Sequence, residues 1–395
     1  MRIVSDPWVT IIGVGEDGPE GLSGASRDAL ARADLVFGAP RHLELLGVAG
    51  EPYPVPFSIQ PILAARGKHV AVLASGDPFW HGAGGSLMEA LQPDEWISHP
   101  VPSSFQRLAN RLGWKMENCL CLGLHAAPLT RLRPLLGQGQ RLLVLLRDGQ
   151  AVAELGTYLA EQGFGLSILH VAERLGGPRE RLVKITAQEA HTYTFSAPVA
   201  AAIDAVGQGM SQASGLPDDL FAHDGQITKR PFRALTLSAL APRHGEVLWD
   251  LGCGSGSVSI EFLLAAQGTT AHAVEADEAR GTRAALNAES FGLSHRWHLH
   301  RGKALENLDD LPPPNVVFVG GGASLALLDA LWPRLPEGAR LVMNGVTLET
   351  EALLYAAHGL RGGTLIRIDI AEAGALGSRH GWEAARPVVQ WSVTK

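Results

Sequence analysis

Residues 248–261 read Leu-Trp-Asp-Leu-Gly-Cys-Gly-Ser-Gly-Ser-Val-Ser-Ile-Glu, from Leu248 to Glu261. An apolar strand closes on Asp250, a turn carries Gly252, Gly254 and Gly256, and from Val258 the apolar spacing is helical. Strand, glycine turn and helix in that order bring backbone N–H groups close to a nucleoside at a helix start. A dinucleotide loop spaces its glycines G-x-G-x-x-G and places a pyrophosphate on the helix N-terminus. Here the third glycine arrives one residue early, and a carboxylate at Asp250 repels a pyrophosphate while suiting a cation. The next expected strand, 272–275, ends in Glu275, a carboxylate placed to accept both ribose hydroxyls. After a short strand at 298–300, Lys303-Ala304 offers backbone groups to an adenine edge. The pattern points to S-adenosylmethionine, a sulfonium with an ammonium group and no phosphate. Its expected binding residues are Asp250, Gly252, Gly254, Gly256, Glu275 and Ala304.

This motif lies in the last two-fifths of a 395-residue chain, a length for two or three domains. Strand-type runs at 8–14, 35–37, 69–74, 141–146, 166–172 and 181–185 alternate with helical patterns at 25–33 and 151–161. The alternation implies an α/β class with mainly parallel pairing. A stretch rich in glycine, serine and aspartate, 206–224, reads as a linker and entry loop. The period then restarts, with helices at 233–240, 258–266, 279–289 and 324–331 and strands at 247–250, 316–320 and 340–344. Two further strands, 365–370 and 387–393, are separated by a loop. The expected division is 1–205, 206–224 and 225–395, with a lobe boundary inside the first part near 101–120.

A net charge of −7 argues against general nucleic-acid binding, so an anionic substrate needs a local basic pocket. Three cysteines, Cys119, Cys121 and Cys253, are too few and too scattered for a disulfide framework, and no His/Cys cluster suggests a metal. No apolar run is long enough to span a bilayer. The expectation is a cytoplasmic protein without a membrane or nucleic-acid partner.

In the first half, Ile12-Gly13-Val14-Gly15 ends a strand, Gly76-Asp77-Pro78 is a tight turn after another, and Pro102-Ser103-Ser104-Phe105 opens a helix. Each alone is an ordinary turn or cap. Together, with Gly38-Ala39-Pro40-Arg41-His42-Leu43, they resemble the tetrapyrrole methylase family, a two-lobed α/β fold that also uses S-adenosylmethionine. The resemblance implies cofactor contacts at Gly13, Gly76, Asp77 and Ser104. The loop Gly15-Glu16-Asp17-Gly18-Pro19 departs from the family's usual G-x-G-P-G. The second half resembles the class I S-adenosylmethionine methyltransferases, with their Rossmann-like fold. More narrowly, it is similar to the decarboxylating precorrin methyltransferases through Gly215-Leu216-Pro217-Asp218-Asp219-Leu220-Phe221, Ile227-Thr228-Lys229-Arg230 and Phe318-Val319-Gly320-Gly321-Gly322. That likeness implies a loop at Thr228 closing over the cofactor, cofactor contacts along Gly252, Cys253, Gly254, Ser255 and Gly256 and at Glu275 and Ala304, and a backbone surface at Gly320 and Gly321 facing substrate.

The two resemblances in this order imply a bifunctional enzyme of cobalamin biosynthesis converting precorrin-6B to precorrin-8X. Meso carbons 5 and 15 are methylated and an acetate side chain loses carbon dioxide. An electron-rich macrocycle supplies its own nucleophilic carbon, so the protein mainly orients two large reactants and excludes water. The anionic tetrapyrrole needs cations; Arg41 and His42 in the first half and Lys229, Arg230 and Arg233 in the second are the expected partners. The families imply a homo-oligomer. An NAD-dependent oxidoreductase, a methyltransferase of RNA or protein, and a non-catalytic carrier of tetrapyrroles remain as rival readings of the residues.

Overall fold

The computed structural model describes residues 7–395. The chain forms two compact units, one ending at Gln208 and lacking Thr130–Leu135, the other comprising Thr130–Leu135 and Gly209–Lys395. No helix among the described residues is long and apolar enough to cross a membrane.

The first unit holds two sheets. One contains β1 (Val9–Val14), β2 (Leu35–Gly38), β3 (Glu51–Pro52), β4 (Val70–Ser75) and β5 (Trp96–His99), ordered β3-β2-β4-β1-β5 and parallel throughout. β1 and β4 are buried almost end to end, as a sheet covered on both faces requires. The other sheet contains β6 (Cys119–Gly123), β7 (Arg141–Leu146), β8 (Ile168–Glu173), β9 (Arg181–Thr186) and β10 (Val199–Asp204), ordered β6-β7-β10-β8-β9. Only β6 and β7 run parallel; the other pairs are antiparallel. The expectation of mainly parallel pairing therefore fails in this sheet. Two of the three antiparallel pairs come from β10, a Val-Ala-Ala-Ala-Ile-Asp run; the third joins the consecutive strands β8 and β9. Alanine favours helix, but here burial between β7 and β8 overrides that preference.

The second unit is built on β11 (Val247–Leu251), β12 (Thr270–Glu275), β13 (Trp297–Arg301), β14 (Val316–Val319), β15 (Arg340–Gly345), β16 (Thr364–Ile368) and β19 (Val388–Thr394). The order is β13-β12-β11-β14-β15-β19-β16; the first five are parallel, and β19 enters antiparallel between β15 and β16. Where a loop was expected between β16 and β19, β17 (Ala371–Leu376) and β18 (Arg379–Ala384) form an exposed hairpin. From β11 the chain builds outward first through β12 and β13, then through β14 and β15 on the other side. That reversal opens a crevice at the carboxyl ends of the strands, where ligands of such sheets bind. Side chains alternate across β11: Trp249 and Leu251 enter one core, while Leu248 enters the other. Asp250 falls on the Leu248 face, under helices Arg230–Leu240, Ser257–Ala265 and Glu278–Ser290.

Candidate active site

The turn after β11 is held by backbone geometry. Gly252, Gly254 and Gly256 all have φ between +58° and +72°, the left-handed region that side chains avoid. At Gly252 space is a second constraint: an added Cβ would lie 2.7 Å from the Gly321 carbonyl oxygen. The N–H groups of Gly252 and Cys253 both donate to the Val274 carbonyl, at 2.9 and 3.1 Å, tying the turn to β12. Glu275, the last residue of β12, accepts from the Gly254 N–H at 2.8 Å on one oxygen and from the Asp277 N–H at 2.9 Å on the other.

These groups border a cavity of about 890 Å³ that unites Thr228, Lys229, Gly252, Cys253, Gly254, Ser255, Glu275, Ala304, Gly320 and Gly321. Asp250 and Gly256 lie outside that wall. Asp250 is fully buried, and neither carboxylate oxygen meets a donor in hydrogen-bonding geometry. Burial pushes its pKa up to about 6; the Ser259 hydroxyl and N–H oppose the shift, and Glu275 adds to it. Burial likewise pushes the Cys253 thiol up, with Asp250 and Glu275 adding to the effect, so Cys253 contributes backbone rather than a thiolate. The sequence reading missed Asn344, Arg280 and Arg386, which also line the cavity. Asn344 stands near the carboxyl end of a parallel strand, a usable signal; Arg386 follows a hairpin that had none.

Arg233 is a correction. Far from meeting a substrate carboxylate, it has no exposed surface. Its Nε donates to Glu261 at 2.6 Å and its Nη1 to Asp218 at 3.0 Å, while Nη1 also donates to the Thr228 carbonyl and Nη2 to the Leu216 carbonyl. Glu261, 3% exposed, also accepts from the N–H groups of Gly215 and Leu216 at 2.6 and 2.9 Å. Arg233 thus fastens the entry loop and the segment carrying Thr228 to helix Ser257–Ala265. Arg230 opens helix Arg230–Leu240, exposed and off the cavity wall, whereas Lys229 lines it, 3.8 Å from Asp218.

In the first unit the ends of β1, β4 and β5 converge. A Cβ on Gly13 would lie 2.1 Å from the Gly76 carbonyl oxygen and 2.7 Å from the Val101 nitrogen, so glycine is required for the approach. Gly76 has φ +58°, and the Asp77 carboxylate accepts from the Phe79 N–H at 2.9 Å. Ser104 is exposed at the start of helix Ser104–Leu112; the buried residue beside it is Ser103, which caps the helix in a reciprocal box with Gln106. Arg41 pairs with Glu16. His42 is a second correction: it is 4% exposed, its Nε2 lies 3.0 Å from the Ser75 hydroxyl, and burial with Arg41 beside it lowers its pKa to about 4. A neutral, buried imidazole cannot pair with a substrate carboxylate.

Comparison with known proteins divides at the same place. A family described as tetrapyrrole (corrin/porphyrin) methylases matches residues 9–191, and a precorrin methyltransferase domain matches residues 219–395. The chain is 43% identical over 406 residues to a decarboxylating precorrin-6Y C(5,15)-methyltransferase of Sinorhizobium sp, covering 99% of this chain and 97% of that one. It is 43% identical over 150 residues to a probable decarboxylating cobalt-precorrin-6B C(15)-methyltransferase of Pyrobaculum calidifontis, covering 37% of this chain and 76% of that one. Among solved structures, the C-terminal domain of precorrin-6Y C5,15-methyltransferase from Rhodobacter capsulatus is 53% identical; the match covers 47% of this chain and all of that one, with TM-score 0.46.

Proposed function

Since the chain belongs to the family of decarboxylating precorrin-6Y C(5,15)-methyltransferases, we propose that its two units divide the family's reaction between them. The enzyme is an S-adenosylmethionine-dependent C-methyltransferase that converts precorrin-6B to precorrin-8X. The first unit methylates meso carbon 5; the second methylates meso carbon 15 and removes carbon dioxide from an acetate side chain. A relative named for C(15) methylation and decarboxylation alone, with 150 matched residues, supports the division.

The observation that carries the cofactor assignment is the cavity that joins the glycine turn, Glu275 and Ala304. The cradle suits S-adenosylmethionine: the backbone of Gly252 and Gly254 and the Glu275 carboxylate line it, and the fully buried Asp250 carboxylate stands behind the turn. Bound there, the cofactor supplies an electrophilic methyl group on a positive sulfur. Glu275 keeps an acceptor site on each oxygen for ribose hydroxyls, Ala304 presents backbone to the adenine, and Asp250 favours the positive charge through the turn. Lys229 and Arg386 face the same space and suit the substrate's carboxylates. In the first unit, Gly13, Gly76 and Asp77 form the corresponding cofactor surface, with Arg41 as the cation for substrate. The same reading makes the protein a cytoplasmic homo-oligomer with no nucleic-acid partner.

The test uses the full chain with precorrin-6B and S-adenosylmethionine. Calorimetry should find two cofactor sites per chain, and mass spectrometry a product with two added methyl groups and one carbon dioxide lost. Asp77→Ala and Glu275→Ala should stall at different singly methylated products. A shared stalling point, or one cofactor site per chain, defeats the division.

A further inference from the structure

The cavity of the second unit has two ends. Glu275 closes β12 and Ala304 follows β13 on one side of β11; the Gly320 turn follows β14 and Asn344 lies in β15 on the other. Three strand spacings separate β12 from β15, roughly 14 Å at about 4.8 Å each. A nucleoside held at Glu275 and Ala304 therefore leaves the β14–β15 end for the second reactant.

Asn344 is held in place for that end. It stands directly opposite Gln390 of β19 in the antiparallel pairing of β15 and β19. The Thr236 hydroxyl donates its only proton to the Phe232 carbonyl at 2.8 Å, so it can only accept from other groups. It accepts from Asn344 Nδ2 at 2.9 Å and from Gln390 Nε2 at 3.2 Å. Gln390 Nε2 also donates to Asn344 Oδ1 at 3.0 Å. These bonds fix which way both amides point and leave one Nδ2–H of Asn344 unused. Thr236 is fully buried and Gln390 3% exposed, whereas Asn344 reaches the cavity wall. Polar groups in such a core are costly unless all are paired. Apolar residues at 344 and 390 would fill the sheet without that risk; what the network adds is an amide fixed at the wall.

We propose that the remaining Nδ2–H of Asn344 receives the carboxylate that the substrate loses, and that Thr236 and Gln390 are its positioning residues. The inference rests on the decarboxylating reading given above. A neutral donor suits the step. The departing carboxylate surrenders its charge, so an arginine there would hold the starting state more tightly than the transition state. An amide orients the group with one hydrogen bond, while Arg386 and Lys229 suit carboxylates that stay. In the step, the bond from the acetate methylene to its carboxylate breaks and the electron pair enters the conjugated macrocycle. The meso carbon so enriched bonds to the methyl group as the C–S pair returns to sulfur. A proton then moves from that carbon to the methylene left behind. The negative charge of the carboxylate and the positive charge of the sulfonium cancel.

The test compares Asn344→Ala, Asn344→Asp, Thr236→Ser and Thr236→Val in the full chain with precorrin-6B and S-adenosylmethionine. Misorientation of the departing carboxylate, which the amide holds in place for bond cleavage, predicts a drop in decarboxylation of about 10- to 100-fold for Asn344→Ala. Cofactor affinity by calorimetry stays near wild type, and methylated product retaining its carboxylate accumulates. Asn344→Asp, nearly the same shape, should be worse than Ala because it repels the substrate carboxylate; the separate cost of setting a carboxylate against the accepting Thr236 hydroxyl is read from the Tm of each variant. Thr236→Ser should keep kcat near wild type and Thr236→Val should lower it. Decarboxylation by Asn344→Ala within roughly 3-fold of wild type, the size of a weak neutral bond, overturns the proposal. So does an Asp variant more active than the Ala variant. A wild-type chain that leaves precorrin-6B unchanged instead overturns the functional reading on which this rests.

Discussion

Replacing Asp250 by asparagine separates what this residue does for folding from what it does for the ligand. The carboxyl is fully buried, and its pKa stands at about 6 against an ordinary value of 3.8. Above pH 6 it is ionised in both the folded and unfolded chain, and the folded state bears the full cost of the buried charge. Below pH 4 it is protonated in both, and the cost vanishes. Between the two the folded chain binds more protons, so the wild type loses stability as pH rises, by about 3 kcal/mol for a shift of roughly two units. Asparagine does not titrate. Its own unpaired amide carries a penalty, but one that is constant with pH. The advantage of Asp250→Asn over wild type should therefore grow by about 3 kcal/mol from pH 4 to pH 7, read from denaturant midpoints of the second unit. Calorimetry on the same protein should show weaker S-adenosylmethionine binding at pH 7, because the charge that destabilises the fold is the one that favours the sulfonium. A stability difference that does not change with pH, or an unchanged cofactor affinity, would refute the reasoning.

Arg233→Met strands the buried Glu261 charge and should cost about 3–5 kcal/mol, lowering the Tm of the second unit; adding Glu261→Gln should recover part of the loss, and a double variant no better than the single contradicts the account. Gly252→Ala places a methyl group 2.7 Å from the Gly321 carbonyl at a left-handed φ. It should cost about 2–4 kcal/mol and weaken cofactor binding, which denaturation and calorimetry measure. His42 is held below its ordinary pKa of 6.5, at about 4, chiefly by burial and then by Arg41. The unfolded chain binds its proton first, so the first unit should lose up to about 3 kcal/mol as pH falls from 6.5 to 4. His42→Gln should flatten that acid limb; an unaltered slope would show that another group is responsible.

Residues 248–261 and Glu275 were legible because their geometry is written in residue types: glycine where φ is positive, a carboxylate where a strand ends. The parallel strands of the second unit were legible as apolar runs. β10 was not, because alanine carries little strand preference and only burial between two partners makes it one. The hairpin β17–β18 was not, because both of its faces are exposed and no alternation marks it. Helix Leu348–Arg361 was overlooked although Thr347 caps it through the Thr350 N–H. Arg233 and His42 were misplaced for one shared reason. Sequence shows that a residue is cationic or titratable, but not whether its partner is a ligand or a neighbour in the core. Asn344 needed Thr236 and Gln390, distant in sequence, before its place became visible.

The contact between Gly252 and Gly321 ties the two halves of the cavity wall into one mechanical part. The turn after β11 and the turn after β14 approach through backbone alone, with no side chain to absorb a shift. Neither can be rebuilt by itself. A graft meant to alter substrate choice by exchanging the loop after β14 would have to bring the matching turn after β11 with it. New specificity in this unit is therefore more accessible from the segment before β19, where side chains such as Arg386 form the wall and can be exchanged singly.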